Sequence, residues 1–538
     1  MHPIILEPEP QPSFFEGARR SPPWGSPNSL VHLVFPSFLK MPALGDRIRA
    51  LLGRRSEAKT IISVQNDRRV VLASILLLLL LGLPLWWTTT RVYRAELPVA
   101  EIAVFAPDQE LTVPFSFYID APSMTVATEA IEHMAQKLID EQRTAYTPDE
   151  WRVRYTARIR HKAAAPDVPG HYTLRLREAA KTAVDFDADR VAHVSISESA
   201  TKRDAVVAKL VADIVAKEEH ELREKSGARR ALKYAPEYSV AFTLLNEDPV
   251  GGAAVNWDIE HAANAFVRPF VDTLRPLAKL AVSTQVLHHA GPPPVKPLAH
   301  ENGTYLTPDM LPHFANSPWW NLASTDPIAP SINFILYVPA LQSQPLRIID
   351  DAKRTSATNA FVVSQWGGIA IANLPADTKA GASVVISSDE LQKYFGIFIA
   401  QLRELVGIRN DTPLQPSTRV TVRRATATGI SAWELDALMR RWMVANRQTA
   451  ITTLQSLVRL VESMENMVVM DEIKVQVDQS LSALRSIPQA LESHLRAFEL
   501  AANASNSAEG AFFDPSMVSL LYFPDQHKYA IYLPFFLP

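Results

Sequence analysis

The chain contains no cysteine. That absence excludes disulfides, cysteine-bearing zinc sites, iron–sulfur clusters and a thiolate nucleophile. It leaves the compartment open, because a large domain needs no disulfides on either side of a membrane. Glycine is scarce, at 18 residues against 40 prolines. Stiff turns are therefore favoured over phosphate-cradling loops, and no P-loop, G-x-G-x-x-G or G-x-S-x-G occurs. Charge excess is also missing. A net charge of -3 and a pI near 6.6 remove the electrostatic footprint of a nucleic-acid binder.

What remains is a chain of 538 residues, 47% hydrophobic and 21% charged, enough for a substantial core and two or three domains. Its longest apolar run, Val70 to Trp87, holds the leucines 76–81 and no charge. At roughly 18 residues it reaches the lower limit for a spanning helix. It starts too far into the chain for a signal peptide, and no A-x-A-like site follows it. Consecutive leucines with charges at both edges argue against a buried core helix. Trp86 and Trp87 close the run where indoles suit an interface. Arg47, Arg49, Arg54, Arg55, Lys59, Arg68 and Arg69 precede it, against Arg91 and Arg94 just after. The positive-inside rule places the N-terminus in the cytosol and the rest across the membrane.

Pattern divides the chain further. Residues 1–69 form a cytosolic tail, of which 1–40, rich in proline and serine, reads as disordered. Met41 offers an alternative start to Met1. Residues 70–88 are the transmembrane helix and 89–525 a lumenal domain. Strand-like runs ("ELTVPFSFYI", "YSVAFTLLN", "INFILYV", "FVVSQWGGIAIAN") alternate irregularly with helical spacings ("MTVATEAIEHMAQKLIDEQ", 203–226, "VNWDIEHAANAFVRPFVDTL", "LQKYFGIFIAQLREL"). The fold class is thus α/β of mixed α+β kind, with a helical segment over about 430–505 that packs on the core. "WRVRYTARIR", "HYTLRLR" and "VDFDAD" read as a three-stranded meander. No internal repeat is visible.

Four constellations could carry chemistry. Asp185, Asp187 and Asp189 of "DFDAD" alternate, as in the Asp-x-Asp pair that holds a divalent cation in many glycosyltransferases. The competing expectation is pairing with arginines on neighbouring strands. Those arginines, at 152, 154, 158, 160, 175 and 177, could also hold phosphate or an acidic partner, or form a solvated face. His288, His289 and His300 fall in one proline-rich stretch, but adjacent strand residues point to opposite faces, so a shared metal is not expected. His220 of "HELRE" lacks a zincin's second histidine. Sequons stand at Asn302, Asn410 and Asn503.

Three separated stretches share one resemblance. In "LGLPLWWTTTRVYRAELP" the residues Gly82, Pro84, Trp86, Trp87, Tyr93 and Arg94 resemble the signature of the phosphatidylinositol-glycan class S family. Asn256 and Trp257 in "VNWDIEHAANAFVRPF", and Trp366, Gly367 and Gly368 in "SQWGGIAIAN", are similar to two more of its stretches. The resemblance implies a non-catalytic subunit of the GPI transamidase in the endoplasmic reticulum membrane, without a cofactor. It implies as partners a caspase-like class K catalytic subunit, the class T and class U subunits and a metallopeptidase-like attachment subunit. "HKYAIYLPFFLP", within 526–538, resembles the approach to a second span that the family has and this sequence stops short of. The alternative is a type II lumenal glycosyltransferase built on Asp185 and Asp187.

Overall fold

The computed structural model describes residues 61–518, except 91–92, 106–109, 145–152, 162–164, 198–199, 224–231, 301–302, 316–319, 321, 323–328, 351, 409–418, 423–427 and 465–466. The expected disorder boundary at 40, Met41 and the stretch 526–538 lie outside them. Two compact units divide the chain, Met1–Arg91 and Val92–Pro538.

In the first unit a single helix, α1, runs Ile61–Thr90 with Pro84 inside it. Its side chains are described at 68–82, 84 and 85, and Val70, Leu72, Ile75, Leu76, Leu78, Leu80, Leu81 and Leu85 among them are all exposed. Among the described residues, no helix is long and apolar enough to cross a membrane. The structure thus supplies a helix where the span over 70–88 is expected, but does not establish the span.

The second unit opens with α2 (Val99–Val104) and then builds one topology twice. The first copy runs β1 (Leu111–Asp120), α3 (Thr128–Thr144), β2 (Val153–His161), β3 (His171–Glu178), β4 (Ala183–Phe186), β5 (Val191–Ile196) and α4 (Ala200–Arg223). The second runs β6 (Glu237–Asn246), β7 (Ala254–Trp257), a helix α5 (Ile259–Leu274) with a π turn at Ala263–Val267, and β8 (Lys279–His288). It continues through β9 (Leu298–His300), β10 (Gly303–Leu306), β11 (Ser331–Val338), β12 (Leu346–Ile348), β13 (Ala360–Val363), β14 (Gly367–Ile371), β15 (Ser383–Ile386) and α6 (Ser388–Val406). The first sheet orders its strands β4-β5-β3-β1-β2, the second β13-β14-β11-β6-β8. In each, four strands are parallel and the strand at the same end, β4 or β13, is antiparallel. The repeat that the sequence hides is therefore plain in the topology.

Burial explains the strand chemistry. β1, β6 and β11 lie inside their sheets and are buried almost throughout, as parallel strands covered on both faces must be. That is why "YSVAFTLLN" and "INFILYV" read as continuous apolar runs. β16 (Arg419–Val422) adds to the first sheet beside β4. The pair β7–β15 and the trio β12-β10-β9 are separate small sheets. Three long helices follow, α7 (Ala432–Ser463), α8 (Asp471–Ala490) and α9 (His494–Phe512), and one helical turn, Pro515–Val518, ends the described residues. Their apolar stripes belong to the same core as the first sheet, so they pack on the α/β layer as expected.

Three expectations need correction. The meander does not form, because β2 and β3 flank β1 and run parallel to it. "FVVSQWGGIAIAN" is not one strand but an antiparallel hairpin, turned at Gln365 with φ +61°. The stretch "VNW", read as the start of a helix, is β7, paired in parallel with β15.

Candidate functional site

A buried cluster of titratable groups lies where α7 packs on the first sheet. Asp436 and Arg440 sit one turn apart on α7, within an apolar stripe that includes Leu438, Met439 and Met443. Asp436 is fully buried and takes both Nε and Nη2 of Arg190 at 2.7 Å, and also the Gly170 N–H at 3.3 Å. Arg190, from the turn between β4 and β5, reaches Asp167 as well. Arg440 is 1% exposed. Its guanidinium forks onto Glu218 of α4, donates to the Tyr172 hydroxyl at 2.6 Å and lies 4.4 Å from the Phe115 ring centroid. Trp433 stacks on Tyr172 at 4.1 Å. His494, first residue of α9, bonds the Pro114 carbonyl through Nε2 at 2.9 Å, and its ring sits so close to Gly170 that a Cβ there would lie 2.5 Å away.

The electrostatics follow from burial. Burial works against the Arg440 charge, but Glu218 outweighs it and holds the guanidinium pKa well above its ordinary value. Burial raises the Tyr172 hydroxyl well above its usual range. Burial, with the Arg440 charge, pushes His494 down to about 3, so it is neutral in the folded chain. Each of these groups is tied to another element of the fold. The arrangement is a clamp that joins β1, β3, α4, α7 and α9, not an open pocket for a reactant.

A second clamp links the second copy of the repeat to α7. Arg403, near the end of α6, meets Glu434, which also closes a capping box with Ser431 at the start of α7. Burial raises the Glu434 carboxyl, but the bonds from Arg403 and Ser431 more than offset it and leave it lowered. Sequence reading missed both clamps. The available signal was an acid and a base four residues apart inside an apolar helical stripe.

The sequence-predicted constellations separate. Asp185 lies on β4 opposite His193 of β5. Asp187 is already in the turn, where its Oδ1 accepts the Ala188 N–H at 2.9 Å and its Oδ2 is 4.0 Å from His193. The strand stops at Phe186, so Asp189 continues no alternating ladder. Nor do these acids face the arginine stripe. Arg154 pairs with Asp140 of α3, Arg158 with Glu492 and Arg175 with Asp120. The expected Asp–Arg cross-strand pairing is thus replaced by pairs with helices, loops and β1. Among the described residues no group of three or more His, Asp or Glu side chains could hold a metal ion. His288 ends β8, His289 turns out of it with φ +57°, and His300 ends β9; His220 is on α4. Asn503 is exposed in the middle of α9, while Asn302 and Asn410 lie outside the described residues.

The signature residues have local reasons. Tyr93 donates to Asp471 at 2.7 Å, Arg94 bonds the Val461 carbonyl and bridges Val469, and Ala95 bonds the Val469 carbonyl. The chain leaving the first unit's sequence is thereby stapled to the α7–α8 connection. Asn256 is exposed on β7 and Trp257 beside it is buried. The Trp366 carbonyl accepts the Asn333 N–H at 3.0 Å. At Gly367, φ is +151° and a Cβ would stand 1.9 Å from the Asn333 carbonyl oxygen. At Gly368 a Cβ would stand 2.1 Å from Gln401 Oε1. Both glycines let β14 approach its neighbours. Gly82 and Pro84 are on α1, as are Trp86 and Trp87.

The family profile described as phosphatidylinositol-glycan biosynthesis class S protein matches residues 73–538. A rat (Rattus norvegicus) protein named "GPI-anchor transamidase component PIGS" is 31% identical over 89% of this chain and 94% of its own length. The human (Homo sapiens) protein of that name is 30% identical over the same shares. The "GPI transamidase component PIG-S homolog" of Schizosaccharomyces pombe is 26% identical over 87% of this chain and 81% of its own length. The chain belongs to the phosphatidylinositol-glycan biosynthesis class S protein family.

Proposed function

We infer that this chain is a subunit of the GPI transamidase, the assembly that attaches GPI anchors to proproteins. The observation that carries the reading is similarity along nearly the whole chain to proteins named as components of that transamidase. We read its role as non-catalytic. The chain has no cysteine, so a thiolate nucleophile must come from another subunit, in line with a caspase-like class K partner. The clustered charges of α7 support the same reading, since they are buried and tied up in holding the fold. Class T and class U subunits and a metallopeptidase-like attachment subunit complete the expected partners.

The site of action in this reading is the endoplasmic reticulum membrane. Anchoring through 70–88 is supported by the uncharged run in the sequence and by the exposed aliphatic side chains of α1, which hydrocarbon accommodates better than water does. With the cytosolic N-terminus set by the arginine bias, the two-copy body is lumenal. The glycosyltransferase alternative is not taken up, because Asp185 and Asp187 part at the end of β4.

The test is co-purification of the full-length protein in mild detergent. Recovery of the caspase-like subunit is expected. Recovery of no other transamidase subunit refutes the reading.

A further inference from the structure

The exposed apolar side chains of the second unit are not spread evenly. Every exposed Met, Phe, Tyr or Trp among its described residues, namely Tyr93, Met464, Met470 and Phe513, belongs to one end of the α7–α8–α9 layer. The other exposed large apolar residues of that unit are Val and Leu. Contacts place the four together. Met464 closes α7, Met470 opens α8, and Tyr93 donates to Asp471 in the first turn of α8. α8 and α9 run antiparallel, because Ser480 donates to the Ala504 carbonyl at 2.8 Å and a Cβ on Gly510 would stand 2.9 Å from Gln476 Oε1. The end of α9, with Phe513 68% exposed, therefore lies beside the start of α8. Large apolar side chains gathered at one place in water mark a surface that something covers.

Chain length says what the cover is. The run expected to span the membrane over 70–88 ends five residues before Tyr93, a reach of at most about 17 Å. The far end of α7 is about 48 Å along the helix axis from Met464. A membrane anchor at 70–88 therefore brings this end of the layer, and not the opposite one, to the lipid surface. The chain also leaves α9 past Phe513 toward 526–538, the stretch expected to approach a second span.

We propose that this end of the helix layer seats in the headgroup region of a zwitterionic lipid surface, inserting Tyr93, Met464, Met470 and Phe513. The chemistry agrees with the place. Single apolar side chains set among carboxylates suit a half-polar layer, where tyrosine buries its ring and keeps its hydroxyl bonded. A protein interface would instead need a continuous core depleted of charge. Glu462, Asp471, Glu472 and Asp514 outnumber Arg94 and Lys474 here, which disfavours an anionic surface. The proposal rests on the reading of 70–88 as the anchor.

The test uses the full chain, whose lack of cysteine allows one label at a time, in phosphatidylcholine vesicles that carry a nitroxide-labelled lipid. Met464→Cys, Met470→Cys and Phe513→Cys each take one fluorescent label. Val282→Cys on β8 and Val385→Cys on β15, both exposed, are controls, and Leu78→Cys reports the anchor itself. Quenching of roughly twofold or more is expected at 464, 470 and 513, with none at 282 and 385. With Leu78→Cys quenched, a lack of quenching at two of the three positions overturns the proposal and spares the anchor. Equal quenching at the controls overturns it as well. Quenching that appears only when phosphatidylserine is admixed overturns the choice of a zwitterionic surface. In the co-expressed complex the three labels should stay quenched. Shielding from iodide there without lipid quenching overturns the proposal in favour of a partner subunit. No quenching at Leu78→Cys defeats the anchor reading and this proposal together.

Discussion

Acid should loosen the seat of α9, and the size of the effect can be worked from His494. Its ring is buried, bonded to the Pro114 carbonyl and faced by the Arg440 charge, with a folded pKa of about 3 against an ordinary 6.5. Below pH 6.5 the unfolded chain takes up a proton there that the folded chain refuses, so stability falls as pH falls and the loss levels off near pH 3. The whole interval corresponds to roughly 5 kcal/mol, and the step from pH 7 to pH 5 to about 2 kcal/mol. The comparison variant is His494→Gln, which keeps a donor for Pro114 and cannot titrate. Urea unfolding of both full-length proteins, followed by tryptophan fluorescence at pH 7 and pH 5, isolates the residue. Other titrating groups, including His171, whose pKa burial also lowers, are common to both and cancel. Wild type should lose about 2 kcal/mol more than the variant over that step. Equal losses would refute the account of His494 as a buried neutral group.

Other perturbations have equally definite outcomes. Arg440→Met, which strands Glu218, should destabilise by about 3–5 kcal/mol in the same urea assay, and adding Glu218→Gln should recover much of that. Gly367→Ala drives a Cβ toward the Asn333 carbonyl and should cost at least about 2 kcal/mol, measured as a lower unfolding midpoint. The Asp185→Ala/Asp187→Ala double variant should co-purify with the transamidase as wild type does; loss of complex would revive a role for the pair. Asn503→Gln should leave glycosidase-sensitive gel mobility unchanged, because the sequon lies within a helix with Ser505 buried.

The parts of the fold legible in the sequence are those where burial writes a pattern. β6 and β11 are apolar at nearly every position because both of their faces are covered. α6 and α7 announce themselves by stripe and capping box. The β13–β14 hairpin escaped because its turn places Gln365, not glycine or asparagine, at positive φ, so the usual punctuation is missing. β7 escaped because it is four residues long and runs straight into a helix. The repeat escaped for a deeper reason. Topology is fixed by which strands are buried and where the crossovers fall, and many side-chain sets satisfy that, so two copies can share it without shared letters. The clamp around Arg440 depends on partners more than two hundred residues away in sequence, such as Glu218 and Tyr172; the Asp436/Arg440 spacing on α7 marks the buried charges but does not name those partners.

The placement of α7 and α9 on the first sheet also sets a timetable for synthesis. β1 to β5 are complete at Ile196, yet the side chains that cover Phe115 and Tyr172 arrive with Trp433, Arg440 and His494. At typical elongation rates of about 5–20 residues per second, the stretch up to Phe512 takes roughly 15 to 60 s to emerge. Through that interval the first sheet waits with an aromatic face uncovered while the second copy is made and folded beside it. Exposed aromatic surface of that kind is what chaperones bind, so the nascent chain is expected to need one until α9 has emerged. A ribosome that stalls after α6 leaves a product with one finished half and one bare half, which is the form that cellular quality control is suited to remove.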